Sequence, residues 1–411
     1  MIRDVDVEFD KWVEDGCSRP LAVTGVRGCG KTYSARSCLE RSARKVAVFD
    51  YEMDGLGNSL ENDPDGRQTA SIMRRLHADL VDGDVVIVDG FHTAEQAERA
   101  SSTLIQLCRW FKVVAIGIVH GSFGDGFDEI RMNPMSFPEY LDAIGERGLS
   151  RNIRSGELEF HDRLVKLFTE FTAIGGLPAA VDAWFRSGNE TDVDRAIREV
   201  LANIREDAVK YFGASSEKVG GILDSIPLNL ARRNKKFMFT RAVAGARSKQ
   251  MVSQLGILES INAVRKVRIT EERRDLEDKP FFKLFCFDTG ALRVLSGLSV
   301  SMAVSPMGNV ELSNGMAENA VLCELVKAGW NDIGCWRSGN RAEAELTVRD
   351  GDSVMPIQID IGTSMYARSL KEYEHSHEGS ELIYMSPSSV GNIGNIRCIP
   401  IYAGCAFRRL I

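Results

Sequence analysis

A doubly wound parallel α/β sheet is the fold predicted for the first third of this chain, on three observations. Four short apolar runs have strand length, helical stretches separate them, and a glycine-rich loop follows the first run directly. Continuous runs rich in valine and isoleucine suit strands covered on both faces, and strand–helix alternation suits parallel connections.

The runs are Leu21–Thr24, Val46–Asp50, Asp84–Asp89 and Val113–Val119, with helices expected over Lys31–Ala43 and Gln68–Asp82. Gly55 to Gly66, rich in Asn, Asp, Pro and Gly, is a turn region. Pro134 to Pro138 interrupts the alternation. The chain then reads as helical to about Phe212, with a break at Gly175-Gly-Leu-Pro178. Asp224 to Arg268 reads as helix, turn, helix and a short strand. Phe281 to Phe287 is apolar and ends in a turn at Asp288-Thr-Gly290. A helix from about Gly315 precedes strands at Glu345–Val348 and Met355–Asp360. The expected division is a nucleotide-binding domain over 1–145, a helical lid or linker over 146–212, a winged-helix-like module over 213–275 and an α/β domain over 276–411.

A chain of 411 residues is too long for one ordinary core. Its formal net charge of -7 argues against wholesale coating of nucleic acid and leaves room for a local basic patch. The most apolar stretch, Val113–Val119, is far too short to span a bilayer, and Met1 to Asp6 contains no apolar signal core. The nine cysteines are scattered, with no CxxC pair, which argues against a disulfide framework or a zinc ribbon and for a reducing, cytoplasmic setting.

Chemistry is written most plainly at Gly25-Val26-Arg27-Gly28-Cys29-Gly30-Lys31-Thr32, which fits the phosphate-loop pattern GxxxxGK[ST]. Glycines let backbone N–H groups turn inward around phosphates, Lys31 brings a point charge to the β- and γ-phosphates, and Thr32 offers a hydroxyl to Mg²⁺. The following helix adds its positive N-terminal end. ATP with Mg²⁺ is the expected ligand. Asp89, at the end of the third strand, is the candidate carboxylate for the magnesium shell. Gly90 stands where many ATP hydrolases place a water-activating Glu; Glu95, Glu98 and His92 lie nearby without occupying that position. After the fourth strand, Ser122 is the candidate γ-phosphate sensor with His120 as runner-up, each against the plain reading of a loop polar group. Arg131 is a candidate phosphate contact in cis or across an oligomer, against the plain reading of a surface arginine.

Taken in order, the motifs resemble those of bacterial and archaeal AAA-type P-loop ATPases that carry a C-terminal domain of unknown function with a restriction-endonuclease-like core. The resemblance rests on Gly25–Thr32, Asp89, Gly121-Ser122, Arg131 with Pro134-Met-Ser-Phe-Pro-Glu-Tyr-Leu141, Gly175-Gly-Leu-Pro178, Ile226-Pro227 with Lys235-Lys-Phe237, Asp288-Thr-Gly290 and Trp336-Arg-Ser338. It implies a P-loop domain followed by a helical and winged-helix region and a nuclease-like C-terminal domain. Two positions depart from the family pattern. Asp89-Gly90 replaces Asp-Glu, and the strands after Trp336 read Glu343-Ala-Glu345 and Gln358-Ile-Asp360 rather than Glu-Val-Asp and Glu-Val-Lys. Glu318, Glu345 and Asp360 remain as oxygen donors, but the lysine beside the attacking water is gone, so the nuclease-like domain is expected to be inactive.

Between Asp224 and Glu259 the chain has seven cations and no acid. Arg232, Arg233, Lys235, Lys236, Arg247 and Lys249 are the candidate DNA contacts, with 246–262 as a recognition helix. The alternative is a solvated face paired with acids elsewhere. His375-Ser-His377 is a weak metal candidate, and Trp336-Arg337 a weak stacking platform. The expected function is ATP binding with weak hydrolysis coupled to DNA-associated domains, in a protein open to oligomerisation. Its rivals are a non-hydrolysing nucleotide-gated scaffold and a small-molecule kinase.

Overall fold

The structure, a computed structural model, describes residues 3–42, 45–243, 248–271, 281–304, 310–339, 342–362, 367–388 and 391–411. The chain divides into two compact units. The first comprises Met1–Pro134, Asn203–Ala214 and Gly256–Ala263; the second comprises Met135–Ala202, Ser215–Leu255 and Val264–Ile411.

The first unit begins with helix α1 (Asp6–Glu14), strand β1 (Leu21–Gly25), helix α2 (Lys31–Arg41) and strand β2 (Val46–Asp50). Helices α3 (Gly57–Asn62) and α4 (Arg67–Leu76), strand β3 (Val85–Phe91), helix α5 (Ala94–Leu107) and strands β4 (Lys112–Gly117) and β5 (Asp128–Met132) follow. The five strands form one parallel sheet in the order β2-β3-β4-β1-β5. The four expected strands are all present. The fifth, Asp-Glu-Ile-Arg-Met, has an alternating polar pattern that suits an edge and carries no continuous apolar run. Leu21–Gly25 and Val85–Val88 are fully buried, as a sheet covered on both faces requires. Phe49, Phe91, Leu104 and Phe111 fill one of those faces.

In the second unit, α6 (Phe137–Ala143), α7 (Arg147–Ser155), α8 (His161–Ile174) and α9 (Pro178–Ser187) lead into α10 (Glu190–Phe212), whose last residues from Asn203 group with the first unit. Then come α11 (Ser216–Leu230), α12 (Ser248–Ser260), β6 (Val264–Glu271), β7 (Phe282–Cys286), α13 (Thr289–Leu295), α14 (Val300–Val304) and α15 (Val310–Lys327). Strands β8 (Ile333–Ser338), β9 (Ala342–Asp350) and β10 (Ser353–Ile359), helix α16 (Arg368–Ser376), strands β11 (Leu382–Ser386), β12 (Gly391–Ile393) and β13 (Ile396–Pro400), and helix α17 (Phe407–Leu410) complete it. Its eight strands form a mixed sheet in the order β12-β13-β11-β10-β9-β8-β6-β7.

This topology bears on the winged-helix-like module expected over 213–275, whose strand joins the C-terminal sheet. Strand β6 pairs in parallel with β8 and antiparallel with β7, so the short strand expected in that module lies in the C-terminal sheet. Val264–Arg268 pair with β7 and Arg268–Glu271 with β8, so the described residues of β6 are taken up by that sheet.

Three of the motifs behind the family resemblance meet here as structural joints. Ser136 caps α6 in a reciprocal capping box with Glu139, with Pro138 in the first turn. Met135 N–H donates to Gly176 O at 2.6 Å. The buried Asp288 accepts from Gly176 N–H at 2.7 Å and, as cap of α13, from Ala291 N–H at 3.0 Å. Burial raises the Asp288 pKa while these N–H groups pull it down. Gly176 and Gly290 are needed for close approach: a Cβ would lie 2.3 Å from Met135 O and 2.1 Å from Ile174 O respectively.

Asp288→Ala orphans two N–H groups and should cost about 2–4 kcal/mol in chemical denaturation. Asp288→Asn, which keeps one acceptor oxygen, should fall between that variant and the parent. Equal stability of all three would contradict the joint.

Candidate phosphate-loop site

The phosphate loop joins β1 to α2. Gly28 and Gly30 have φ of 80° and 97°, left-handed values that turn successive N–H groups toward one side, and Gly30 immediately precedes α2. A Cβ on Gly25 would lie 2.1 Å from Met132 O, so β5 fixes a glycine there. The back of the loop is held by Arg3, whose guanidinium donates to Cys29 O and Asn133 O, each at 2.9 Å. Lys31 is buried and its ammonium donates to Gly25 O at 2.9 Å and Val26 O at 3.1 Å.

Although β4 separates β1 from β3 in the sheet, Thr32 and Asp89 meet at its carboxyl edge. The Thr32 hydroxyl donates to Asp89 Oδ2, and Gly90 N–H donates to Asp89 Oδ1 at 2.7 Å. A hydroxyl beside a carboxylate is a hard oxygen pair of the kind Mg²⁺ takes together with phosphate oxygens. With Lys31 and the loop amides adjacent, the residues present fit a magnesium–nucleotide.

These groups line a cleft of about 570 Å³, within the range of ligand sites and in the place where open α/β sheets bind ligands. Its rim carries residues that have no motif. Arg27 pairs with Asp207 of α10 at 3.0 and 3.1 Å. Burial raises the Asp207 pKa and Arg27 lowers it. Lys210 donates to Glu52 at 3.0 Å, and Tyr211 O–H donates to the same carboxylate at 3.2 Å. For Glu52, burial raises the pKa but Lys210 and Tyr211 bring it below the usual carboxylate range. His92 stacks on Tyr211 with ring centroids 4.0 Å apart, and burial followed by the nearby Arg27 charge pushes it down to about 4. Asp50 pairs in register with Asp89 and accepts the N–H groups of Glu52 and Met53 at 2.9 and 2.7 Å.

The loop residues, Asp89 and Gly90 lie together here. Ser122 and Arg131 do not line this cleft. Ser122 donates to Val119 O at 2.9 Å, and Arg131 pairs with Glu129 at 2.9 Å. His120 meets a different group. Thr24 O–H donates to Glu129 at 2.7 Å, so His120 Nδ1, 2.6 Å from the same hydroxyl, carries the proton.

The basic window is divided. Lys235 is buried in an ion pair with Glu318, and Lys236 lies over the Phe281 ring. Arg233 and Lys249 are exposed and Arg232 is partly so; Arg247 lies outside the described residues. Trp336 is packed edge-on against Tyr373 in the core, and His377 stacks on that tyrosine. Among the described residues no group of three or more His, Cys, Asp or Glu is placed to hold a metal ion. Two of the three acids expected at a nuclease centre, Glu318 and Glu345, lie instead with Glu343 around a lysine that carries no motif, while the third, Asp360, accepts from Tyr384 O–H at 3.0 Å. Lys283 contacts Glu318 at 3.1 Å and Glu343 at 2.5 Å. Glu343 also binds Arg337 at 2.5 Å, and Glu345 Oε2 accepts Ile359 N–H at 2.9 Å. A lysine inside the apolar strand Phe-Lys-Leu-Phe-Cys was the available signal. Burial opposes its charge, but Cys335, Glu318 and Glu343 hold the Lys283 pKa well above its ordinary value. Burial raises Glu343, yet Lys283 and Arg337 outweigh it and bring it to about 2. Burial, then Glu318 and Glu343, push Glu345 up to about 8 against Lys283 and Lys235.

Comparison with known proteins gives partial likenesses. Residues 165–301 match a family model described as a domain of unknown function (DUF8612). No protein with a curated description matches. Among solved structures, the Walker-type ATPase of Pyrococcus abyssi is 15% identical with a TM-score of 0.43, covering 72% of this chain and 96% of that one. A signal-transduction ATPase with numerous domains and a tetratricopeptide repeat sensor, from Pyrococcus horikoshii, is 13% identical with a TM-score of 0.30, covering 78% and 44%. The replication initiator DnaA bound to AMPPCP and single-stranded DNA is 13% identical with a TM-score of 0.28, covering 61% and 86%. Among the described residues no single helix is long and apolar enough to cross a membrane.

The raised Glu345 gives a pH test. A folded pKa above the unfolded one stabilises the fold fully below the ordinary carboxylate range, and that contribution is lost as pH rises toward 8. The melting temperature should therefore fall between pH 6 and 9 by more in the parent than in Glu345→Gln, which stays neutral and keeps an acceptor for Ile359 N–H. Parallel profiles by scanning calorimetry would contradict the assignment.

Proposed function

We propose that the chain is an AAA-like ATP-binding protein that turns over slowly and uses nucleotide state to govern a nucleic-acid-associated region. The observation that carries the reading is the Thr32–Asp89 hydrogen bond at the mouth of the Gly25–Thr32 loop. It unites the two oxygen donors a magnesium–nucleotide needs, beside a lysine and inward-turned amides. Magnesium bound there would neutralise phosphate charge. The loop amides and Lys31 would hold the phosphates, and Thr32 and Asp89 would orient the ion's shell.

Slow turnover follows from the surroundings. Gly90 offers no side chain to activate water. The nearby carboxylates are engaged, Asp50 by two backbone N–H groups and Glu52 by Lys210 and Tyr211. His92, pushed down to about 4, is a weak base at neutral pH. A non-hydrolysing switch is the second reading, and the same engagement of carboxylates favours it. Ser122 and Arg131 remain proposals for roles that would require them to approach the phosphates. Nucleic acid is proposed as the partner on the strength of the exposed Arg233 and Lys249 and the partly exposed Arg232. The C-terminal sheet is proposed as a nuclease-like scaffold without nuclease chemistry, because lysine and arginine occupy its acids.

Titration calorimetry should show magnesium-dependent ATP binding that weakens roughly tenfold to a hundredfold in Lys31→Ala, and that loses its magnesium dependence in Asp89→Asn. Phosphate release should be on the order of 10⁻³ to 10⁻² per second. Release no faster than that of Lys31→Ala would select the non-hydrolysing reading, and absence of binding would remove both.

A further inference from the structure

We infer that the hollow over the Lys283 ion cluster binds a phosphate-class anion without a metal ion. The hollow has a volume of about 480 Å³, and its polar walls are Arg233, Asn234, Lys235, Arg337, Glu343, Glu345 and Ser369. It lies wholly within the second unit.

The first argument is charge. Arg233, Lys235, Lys283 and Arg337 stand against Glu318, Glu343 and Glu345. Glu318 is bound by both lysines, and Glu343 by Lys283 and Arg337. Glu345, its pKa raised by burial and by the other two glutamates, is mostly neutral at pH 7. The cluster therefore carries an excess of two positive charges at neutral pH, and of one when Glu345 ionises. A divalent cation would have to displace an ammonium or guanidinium from Glu318 or Glu343 and a proton from Glu345. An anion meets no such obstacle.

The second argument is which atoms remain available. Asn234 Oδ1 already accepts from Arg337 at 3.1 Å and from Lys236 N–H at 3.2 Å, so its amide N–H₂ is the end left to donate. Ser369 Oγ accepts Glu343 N–H at 3.2 Å, so its O–H is left to donate. Arg233 is exposed at the rim and offers a planar fork of N–H donors suited to phosphate. These three wall groups are donors, the Glu343 carboxylate beside them is taken by Lys283 and Arg337, and the net charge of the cluster is positive. Phosphate oxygens accept hydrogen bonds and carry negative charge, so they match on both counts. The volume admits a terminal phosphate with its attached nucleoside, or free pyrophosphate.

The inference uses no part of the nucleotide reading and gives the nucleic-acid reading a specific contact. Because Lys31→Ala disables the phosphate loop, that full-length variant is the background for the test. Pyrophosphate, a short 5′-phosphorylated oligonucleotide and its unphosphorylated twin are titrated at low salt with EDTA present. Pyrophosphate should bind, and Arg233→Glu should weaken it at least about tenfold while leaving the circular dichroism spectrum unchanged. Ser369→Ala should weaken binding by a smaller factor. Preference for the phosphorylated over the unphosphorylated oligonucleotide would make a strand end the physiological source of the phosphate. Pyrophosphate binding without that preference supports the pocket with a free phosphate as ligand. Absence of binding by every probe, binding that requires magnesium, or binding indifferent to both substitutions overturns the inference.

Discussion

Everything at the first site depends on one steric constraint, the closeness of Gly25 to the carbonyl of Met132. With no room for a side chain, the end of β1 lies flat against β5, and the loop must leave through residues with left-handed backbone at Gly28 and Gly30. That path brings N–H groups to one side and starts α2 at Lys31. It also places Thr32 within reach of Asp89, two strands away in the sheet. Removing the constraint would cost the inward-turned amides and the Thr32–Asp89 contact together, because both are consequences of where the loop emerges.

The two charged centres follow opposite strategies. At the phosphate loop, backbone dipoles and one lysine form a positive face, while Asp50 is held by a turn, Glu52 by Lys210 and Tyr211, and Asp207 by Arg27. On the proposed reading, such a site holds a triphosphate better than it attacks one. In the C-terminal sheet, the charges are interleaved: Lys235, Glu318, Lys283, Glu343 and Arg337 alternate in sign from one contact to the next. Buried charges are tolerated only when paired this closely. The lysine in the middle takes Glu318 and Glu343 as partners, whereas Asp360, also expected as a nuclease acid, bonds Tyr384.

Much of the first sheet was legible because its strands are long apolar runs and its loop a short-range motif whose spacing is dictated by phosphate geometry. Strand β5 was not, since an edge strand needs no apolar run. Asp207, Lys210 and Tyr211 were illegible for another reason. They reach the cleft from a helix far along the chain, and nothing local in Glu-Asp-Ala-Val-Lys-Tyr marks them. The segments Pro134–Leu141, Gly175–Pro178 and Asp288–Gly290 were visible as motifs, but their work is mutual: a capping box, a close backbone approach and a buried helix cap. The basic window misled in one respect. Sequence shows that cations lack acids nearby in the chain, whereas Lys235 finds Glu318 across the fold.

Amide hydrogen exchange measured residue by residue over Gly25 to Thr32, with and without magnesium–ATP, addresses the central claim most directly. The account predicts marked slowing at these amides together with Gly90, whose N–H is tied to Asp89. Unchanged exchange across the loop at saturating nucleotide would mean that the amides do not close on phosphate, and would contradict it.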